Sequence, residues 1–350
     1  MLRTKKEILN IKPYVPGKSG DKGRKTVKLS SNENPLGCSP KVLDAVQNAA
    51  SLNRYPDGAS SELREKLGEI NNLNPEQIIC GAGSDEILEL IAYAYCGEGD
   101  EVIYTQHGFL VYPIAAMSAG AKPIAVAEKN LTADVDTILA AVNERTRIVM
   151  LANPNNPTGT YISGAELKRL RADLREDILL VIDNAYAECV TADDYDMGYD
   201  LADAAPNTII TRTFSKMYGI PALRVGWGYA APEIIDILNR IRPPFNLTTL
   251  GQVGACAALD DVEFMQKSVA HNTKWREWLS AELRGLGCEV PPSQGNFVLA
   301  KFADANAVFE KLRANDIIVR EMGGYGLPEY LRISIGLEAD MKKLVALLGE

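Results

Sequence analysis

The sequence predicts an α/β fold, with a mostly parallel central sheet covered by helices and a smaller α+β domain after it. Three observations carry this reading. From about Asn74 to Gly228 short apolar runs alternate with helical patterns, the texture changes after Pro243-Pro244, and strand and helix patterns mix towards the C-terminal end. Strand–helix alternation sustained that long calls for parallel strands with both sheet faces covered. The 350 residues suit one large or two medium domains at roughly 150 residues each.

Residues 1–40 are rich in Pro, Gly and Ser and are expected to form an arm that packs on the small domain or on a partner. Within it, Lys18 to Lys28 interleaves Lys with Gly, Ser and Asp and reads as a solvated loop. Residues 41–245 form the expected large domain. Its strands are Gln77–Cys80, Glu101–Thr105, Pro123–Val126, Arg147–Ala152, Leu179–Ile182, Thr208–Arg212 and Gly226–Ala230. Between them, Val135, Ile138, Leu139 and Val142 mark one helix face. Ser163 with Glu166 is a capping-box signature ahead of Leu167, Leu170 and Leu174. Residues 246–350 form the expected small domain. It starts with one long helical stretch from about Thr249 to Leu286, then Asn296–Lys301, a helix near Ala305–Ala314, Ile317–Arg320 and Leu331–Ile335. A closing helix is marked by Met341, Leu344, Val345 and Leu348.

Composition narrows the function. With 46% hydrophobic and 24% charged residues the chain is neither a disordered tail nor a membrane protein. No run of 18 apolar residues occurs, and the opening Met-Leu-Arg-Thr-Lys-Lys lacks the apolar stretch of a secretory leader, so a soluble cytoplasmic protein is expected. The 37 basic and 46 acidic residues leave a net charge of −9, which speaks against nucleic acid and anionic membranes as partners. Six cysteines without a C-x-x-C pair read as small buried hydrophobes in a reducing compartment. The two histidines, His107 and His271, form no metal-binding spacing. A Ser-His-Asp hydrolase or a multi-histidine metal site is therefore excluded, and no metal is expected. Proton traffic falls to a lysine, a tyrosine or a cofactor.

Open parallel sheets hold ligands at the carboxyl ends of their strands, and three of the expected strands end in polar residues. Arg147–Ala152 runs into Asn153-Pro-Asn-Asn156-Pro-Thr-Gly159, a rigid non-helical turn that presents the Asn156 amide, or else a plain tight loop. Asp183 follows five apolar residues and should be buried, which requires a positive or proton-donating partner: a protonated pyridine nitrogen, or an arginine. Tyr186 can donate to the same ligand. After Thr208–Arg212 come Thr213, Ser215 and Lys216, with Arg224 eight residues beyond the lysine. The hydroxyls and Arg224 suit a phosphate; Lys216 is either an amine held for Schiff-base chemistry or an ordinary surface lysine. A fourth element, Gly81-Ala-Gly83-Ser84-Asp85, precedes a helix and exposes backbone N–H groups to an anion. Asp85 and Glu86 would repel that anion unless they point away. Together these groups describe one ligand, with a phosphate, a ring nitrogen, a phenolic oxygen and an aldehyde. Pyridoxal phosphate satisfies each requirement.

The motifs at 153–159, Asp183-x-x-Tyr186, and Ser215-Lys216 with Arg224 resemble the fold type I aminotransferases in order and spacing. Ser31-Asn-Glu-Asn-Pro-Leu-Gly37, Asn53-Arg-Tyr55-Pro, Gly83-Ser-Asp-Glu86 and Leu331-Arg332-Ile-Ser-Ile-Gly336 are similar to the histidinol-phosphate aminotransferase branch. The resemblance spans essentially the whole chain and implies the PLP-dependent transferase fold type I and pyridoxal 5′-phosphate as cofactor. It implies that Lys216 forms the Schiff base, Asp183 holds the pyridinium proton, and Asn156 and Tyr186 bind the ring oxygen. Ser84, Asp85 through its backbone N–H, Thr213, Ser215 and Arg224 would hold the phosphate, with Tyr55 reaching in from the second subunit of a homodimer. Phe109 falls at the position that stacks on the ring, although it follows His107-Gly108 rather than Pro-Thr; His107 reads as a neighbour of that position and not as a general base. Tyr14, Asn32, Arg320 and Arg332 match substrate contacts. The implied reaction is ping-pong transamination between L-histidinol phosphate and 2-oxoglutarate. The alternatives are an aromatic amino acid aminotransferase, a PLP-dependent decarboxylase of a phosphorylated amino acid, and the ligand domain of a transcription regulator, which the acidic balance disfavours.

Overall fold

A computed structural model describes residues 4–18, 26–49 and 53–350. Residues 19–25 of the Lys18–Lys28 stretch, and the first three of the chain, lie outside the described residues. The strands are β1 (Val27–Lys28), β2 (Ile78–Gly81), β3 (Glu101–Thr105), β4 (Lys122–Val126), β5 (Thr146–Ala152), β6 (Leu179–Asp183), β7 (Thr208–Thr213), β8 (Gly226–Ala230), β9 (Phe297–Lys301), β10 (Ile317–Ile318), β11 (Arg320–Glu321) and β12 (Tyr330–Ser334). Seven of them form one sheet in the order β2-β8-β7-β6-β5-β3-β4. Every pairing in it is parallel except those of β8, which runs antiparallel to both β2 and β7. Parallel neighbours need a crossover helix, whereas an antiparallel neighbour does not. The link from β7 to β8 accordingly holds only the short 3-10 turn Pro221–Leu223. That doubling-back carries Ser215, Lys216 and Arg224 to the carboxyl ends of β5, β6 and β7.

Both faces of the sheet are covered, and strand periodicity sorts the side chains. Val149, Leu151, Leu180, Ile182 and Ile210 belong to one core, and Ile148, Met150, Leu179, Val181 and Ile209 to the other. Successive residues of a strand point to opposite faces, so these near-continuous apolar runs fill both cores. Each fully buried Ile or Leu contributes roughly 1.5–3 kcal/mol by leaving water. The helix Val135–Ala141 buries Val135 and Ile138 in the first core. Ser163 caps Gly164–Asp173, its side chain accepting from the Glu166 N–H at 3.3 Å.

A second sheet, β11-β12-β9, is antiparallel and has its own core around Trp275, Phe309, Ile333 and Met341. The N-terminal segment packs beside it: β1 and β10 form a separate two-stranded parallel sheet, Leu29 enters that core, and the Asn32 N–H donates to Ser334 Oγ at 2.8 Å. This anchoring delivers Ser30 to Asn32 to the gap between the two sheets. Two departures from the sequence reading have local causes. The stretch expected as one helix is two, Thr249–Leu259 and Val262–Gly285, because Asp261 caps the second by accepting from the Phe264 N–H at 3.2 Å. The stretch Ile317–Arg320 is split between β10, which pairs with the arm, and β11, which pairs with β12. No helix among the described residues is long and apolar enough to cross a membrane.

Candidate active site

The carboxyl ends of β5, β6 and β7 open into a cavity of about 240 Å³ between the two sheets. Lys216, Asp183, Tyr186, Asn156, Phe109, Thr213, Ser215, Arg224, Ser84, Asp85, Asn32, Tyr14, Arg320 and Arg332 all line it. Of the residues expected at the site, only Tyr55 is elsewhere. It is 81% exposed and stacks on Phe245, with ring centroids 4.5 Å apart.

Asp183 is the last residue of β6 and is buried. The Tyr112 hydroxyl donates to its Oδ2 at 2.8 Å and Thr211 Oγ1 to its Oδ1 at 3.2 Å. Among the described residues no arginine or lysine pairs with it, so the arginine alternative is not realised. Burial pushes its carboxyl up to about 6, against the pull of the Tyr112 bond. A buried carboxylate with donors but no cation calls for a positive partner in the cavity. Tyr112 itself was not legible as a site residue. Its one signal is a phenol on the apolar helix Val111–Ala119, which must find an acceptor once buried.

Lys216 follows β7, with Nζ 5.7 Å from the centre of the Tyr186 ring and no hydrogen bond or ion pair among the described residues. Burial, then the nearby Arg332 charge, lowers its ammonium to about 8, and Asp85 and Tyr14 oppose the shift. At pH 7 roughly a tenth of the amine is thus unprotonated, far more than for an ordinary lysine, which favours nucleophilic chemistry.

The anion cradle is built by close backbone approach. Gly83, at φ 86°, precedes the helix Ser84–Tyr95, and a Cβ there would lie 2.4 Å from Arg224 Nη2. A Cβ on Gly226 would lie 2.2 Å from the Ser84 nitrogen. Arg224 adopts φ 51°, a region costly for a side-chain-bearing residue, and so aims its guanidinium at Ser215 Oγ (3.4 Å) and Asp85 Oδ2 (3.2 Å). Glu86 is turned away, accepting from the Ala82 N–H at 2.8 Å and from Asn246 Nδ2 at 2.5 Å. The expected repulsion is therefore relieved: one carboxylate faces Asn246 and the other is held by Arg224. Helix N-terminus, hydroxyls and guanidinium together suit a phosphate.

At the opposite wall, Arg332 is buried on β12. Its Nη1 donates to Asn156 Oδ1 and its Nη2 to the Ser30 carbonyl at 2.9 Å, while its Nε has no partner among the described residues. Asn156 thus contacts Arg332, and the Tyr186 hydroxyl accepts from Asn32 Nδ2 at 2.9 Å. A buried guanidinium with a donor to spare and no carboxylate against it is a site for a second anionic group. Arg320 donates to the Val15 carbonyl at 2.7 Å, tying the N-terminal segment over the cavity. Phe109 meets Tyr112 edge-on at 5.9 Å. The donor set fits a phosphorylated pyridine aldehyde at one end and an anionic substrate at the other.

A model of the aminotransferase class I and II family matches residues 24–348. Histidinol-phosphate aminotransferases from Rhodospirillum rubrum and Ruegeria pomeroyi are 50% and 51% identical to this chain; the matches cover 98% and 97% of it and 95% and 94% of theirs. The crystal structure of histidinol-phosphate aminotransferase from Sinorhizobium meliloti in complex with pyridoxal-5′-phosphate superposes with a TM-score of 0.88. It is 29% identical, and the match covers 93% of this chain and 91% of that one. A single mutant of Thermus thermophilus aspartate aminotransferase, 21% identical with a TM-score of 0.83 over 99% of both chains, shares the fold.

Proposed function

The chain belongs to the class I and II aminotransferase family, and from that premise we propose that it transfers the amino group of L-histidinol phosphate to 2-oxoglutarate. The proposed reaction is ping-pong, with pyridoxal 5′-phosphate held at Lys216. One observation carries the reading: an unpaired lysine amine, a buried carboxylate without a cation and an arginine–hydroxyl cradle meet in a single cavity. The choice of substrate is supported by the relatives' names at half identity over nearly the whole of both chains. It is also supported by Arg332 and Arg320 at the wall away from the cradle.

When bound, the cofactor supplies an aldehyde for amine capture and a ring that accepts the electron pair released at the substrate Cα. The chain's own residues do the rest. Lys216, whose amine burial favours in its neutral form, would take the proton from the substrate Cα and deliver it to the former aldehyde carbon of the cofactor, the reverse half running the same transfer backwards. Asp183 holds the proton at the ring nitrogen, and the Tyr112 and Thr211 donors keep its carboxylate charged. Ser84, Thr213, Ser215 and Arg224 bind the cofactor phosphate. Asn156 and Tyr186 would hold the ring oxygen, Asn32 would contact the substrate, and Phe109 would stack on the ring. Exposed Tyr55 serves the site of a second copy, which makes the working unit a homodimer. The helix Thr249–Leu259 shares a core with Val42 and Leu63, so we place the start of the small domain near Asp261 rather than at 246. The cytoplasm is the proposed location, supported by six unpaired cysteines.

A second reading rests on a neighbouring chamber of about 460 Å³, lined by Pro13, Leu110, Pro113, Ile114, Met117 and Tyr325, which would accommodate an aromatic side chain. A half-reaction panel separates the two readings. Protein loaded with pyridoxal phosphate is mixed with histidinol phosphate, phenylalanine, tyrosine or glutamate, and the loss of the visible band is followed. Histidinol phosphate and glutamate should give the largest rates; fastest loss with phenylalanine or tyrosine favours the aromatic reading, and no response to any donor removes both.

A further inference from the structure

None of the roles above uses His107, although it is one of two histidines in the chain. It lies in the turn between β3 and the helix Val111–Ala119, two residues before Phe109. Glu128, with a side chain only 2% exposed, grips it twice. The His107 backbone N–H donates to Glu128 Oε1 at 3.1 Å, and Nδ1 lies 2.8 Å from Oε2. A carboxylate only accepts, so Nδ1 carries the proton in this contact. On its other side the His107 carbonyl accepts from Asn155 Nδ2 at 3.3 Å.

From Asn155 the bonds continue in one direction. Asn155 Nδ2 donates to Thr158 Oγ1 at 3.0 Å, Thr158 and Thr160 share a hydroxyl contact at 2.8 Å, and Thr160 Oγ1 donates to the Leu131 carbonyl at 2.6 Å. Leu131 and Glu128 belong to one tight turn, in which the Lys129 N–H donates to the Thr132 carbonyl at 2.9 Å and Asn130 and Leu131 both adopt positive φ. The path therefore closes into a ring, and His107, Asn155, Thr158 and Thr160 are all buried in it. Three chain segments meet here. One carries Phe109, one carries Asn156, and the third packs Leu131 against a cluster formed by Leu299 and Tyr330 of the second sheet and Met322, Tyr325 and Leu327 of its β11–β12 connection.

We propose that Glu128 and His107 are a positioning pair that locks this ring, and so fixes Phe109 and Asn156 relative to each other across the cofactor-binding face. The proposal rests on the transamination reading for what lies on that face, but the ring itself does not. Hydrogen bonds polarise one another along such a path, and a buried member without its partner carries a large penalty. Losing the imidazole donor should thus loosen the loop 155–160 as well as the turn that holds His107.

The test compares His107→Leu, which removes the donor, with His107→Asn, which keeps an N–H near the Nδ1 position, and with Glu128→Leu, which removes both acceptors. In cofactor-free protein, amide hydrogen exchange at residues 155–160 should speed up about tenfold or more in His107→Leu and return towards wild type in His107→Asn. In loaded protein, His107→Leu should lose at least half of the circular dichroism of the visible band per bound cofactor, with kcat/KM down about tenfold or more. Unchanged exchange at 155–160 in His107→Leu would overturn the ring as a coupling device. A His107→Asn variant as impaired as His107→Leu would overturn the role of the donor. If His107→Leu does not fold, Glu128→Leu, which removes both acceptors, bears the test, and wild-type exchange and dichroism in it would equally overturn the pair. Failure of wild-type protein to bind pyridoxal phosphate would sink the transamination reading instead, leaving the exchange result to judge the ring.

Discussion

Replacing Asp183 by Asn should change how the stability of the cofactor-free protein depends on pH. The folded-state carboxyl sits near 6 and the ordinary value is 3.8, a gap of about two units. Each unit is worth about 1.4 kcal/mol, so the group contributes about 3 kcal/mol of pH-dependent free energy. The sign follows from proton counting: between 3.8 and about 6 the folded chain binds the proton that the unfolded chain has released. Stability therefore falls as pH rises through that window, and above it the full burden of a buried carboxylate with no cation is present. Asn carries no such charge. Urea unfolding of wild type and Asp183→Asn, measured at intervals from pH 4 to pH 8, should show the variant gaining on wild type by about 3 kcal/mol across the window and by nothing further above it. Parallel stability curves would refute the claim that Asp183 is a desolvated carboxylate awaiting a positive partner.

Three other outcomes follow from the site. Tyr112→Phe removes a donor to a charged group, worth about 1.5–3 kcal/mol, so the acid limb of kcat against pH should move up by about one to two units; an unmoved limb would exclude the phenol from control of Asp183. Arg332→Ala should raise KM for the phosphorylated amino donor about tenfold or more with a smaller change in kcat, and an unchanged KM would mean that the substrate anion binds elsewhere. Mixing inactive Lys216→Ala with Tyr55→Ala subunits should restore up to about a quarter of wild-type activity, because half the random pairs carry one intact site. No restoration would place Tyr55 in the site of its own chain.

The parts of this molecule that were readable from its sequence are those set by local pattern. Five apolar residues ending in Asp183 mark a strand delivering a carboxylate to a sheet edge, and the hydroxyls around Lys216 mark a loop built for an anion. The alternation that defines the sheet is equally local. Pairings across long sequence distances were not readable. Tyr112 reaches an acceptor 71 positions away and Arg332 one 176 positions away, and neither residue's neighbours announce the partner. The sequence reading grouped Asn156 with Tyr186, whereas the structure pairs Asn156 with Arg332 and Tyr186 with Asn32. The helix break at Asp261 was hidden because the apolar pattern resumes beyond it; only the capping bond, joined by the Ser39 hydroxyl on the other carboxylate oxygen, marks the end. The division of β10 from β11 depends on a partner from the N-terminal arm, a choice made by tertiary packing and not by propensity.

Lys216 is the amine proposed to receive the cofactor. Loading the protein with pyridoxal phosphate, reducing it with borohydride and mapping the peptides by mass tests this directly. One stable pyridoxyl adduct per chain is expected, on Lys216, absent from Lys216→Ala and absent when histidinol phosphate converts the bound cofactor before reduction. A principal adduct on another lysine, or an undiminished yield in Lys216→Ala, would contradict it.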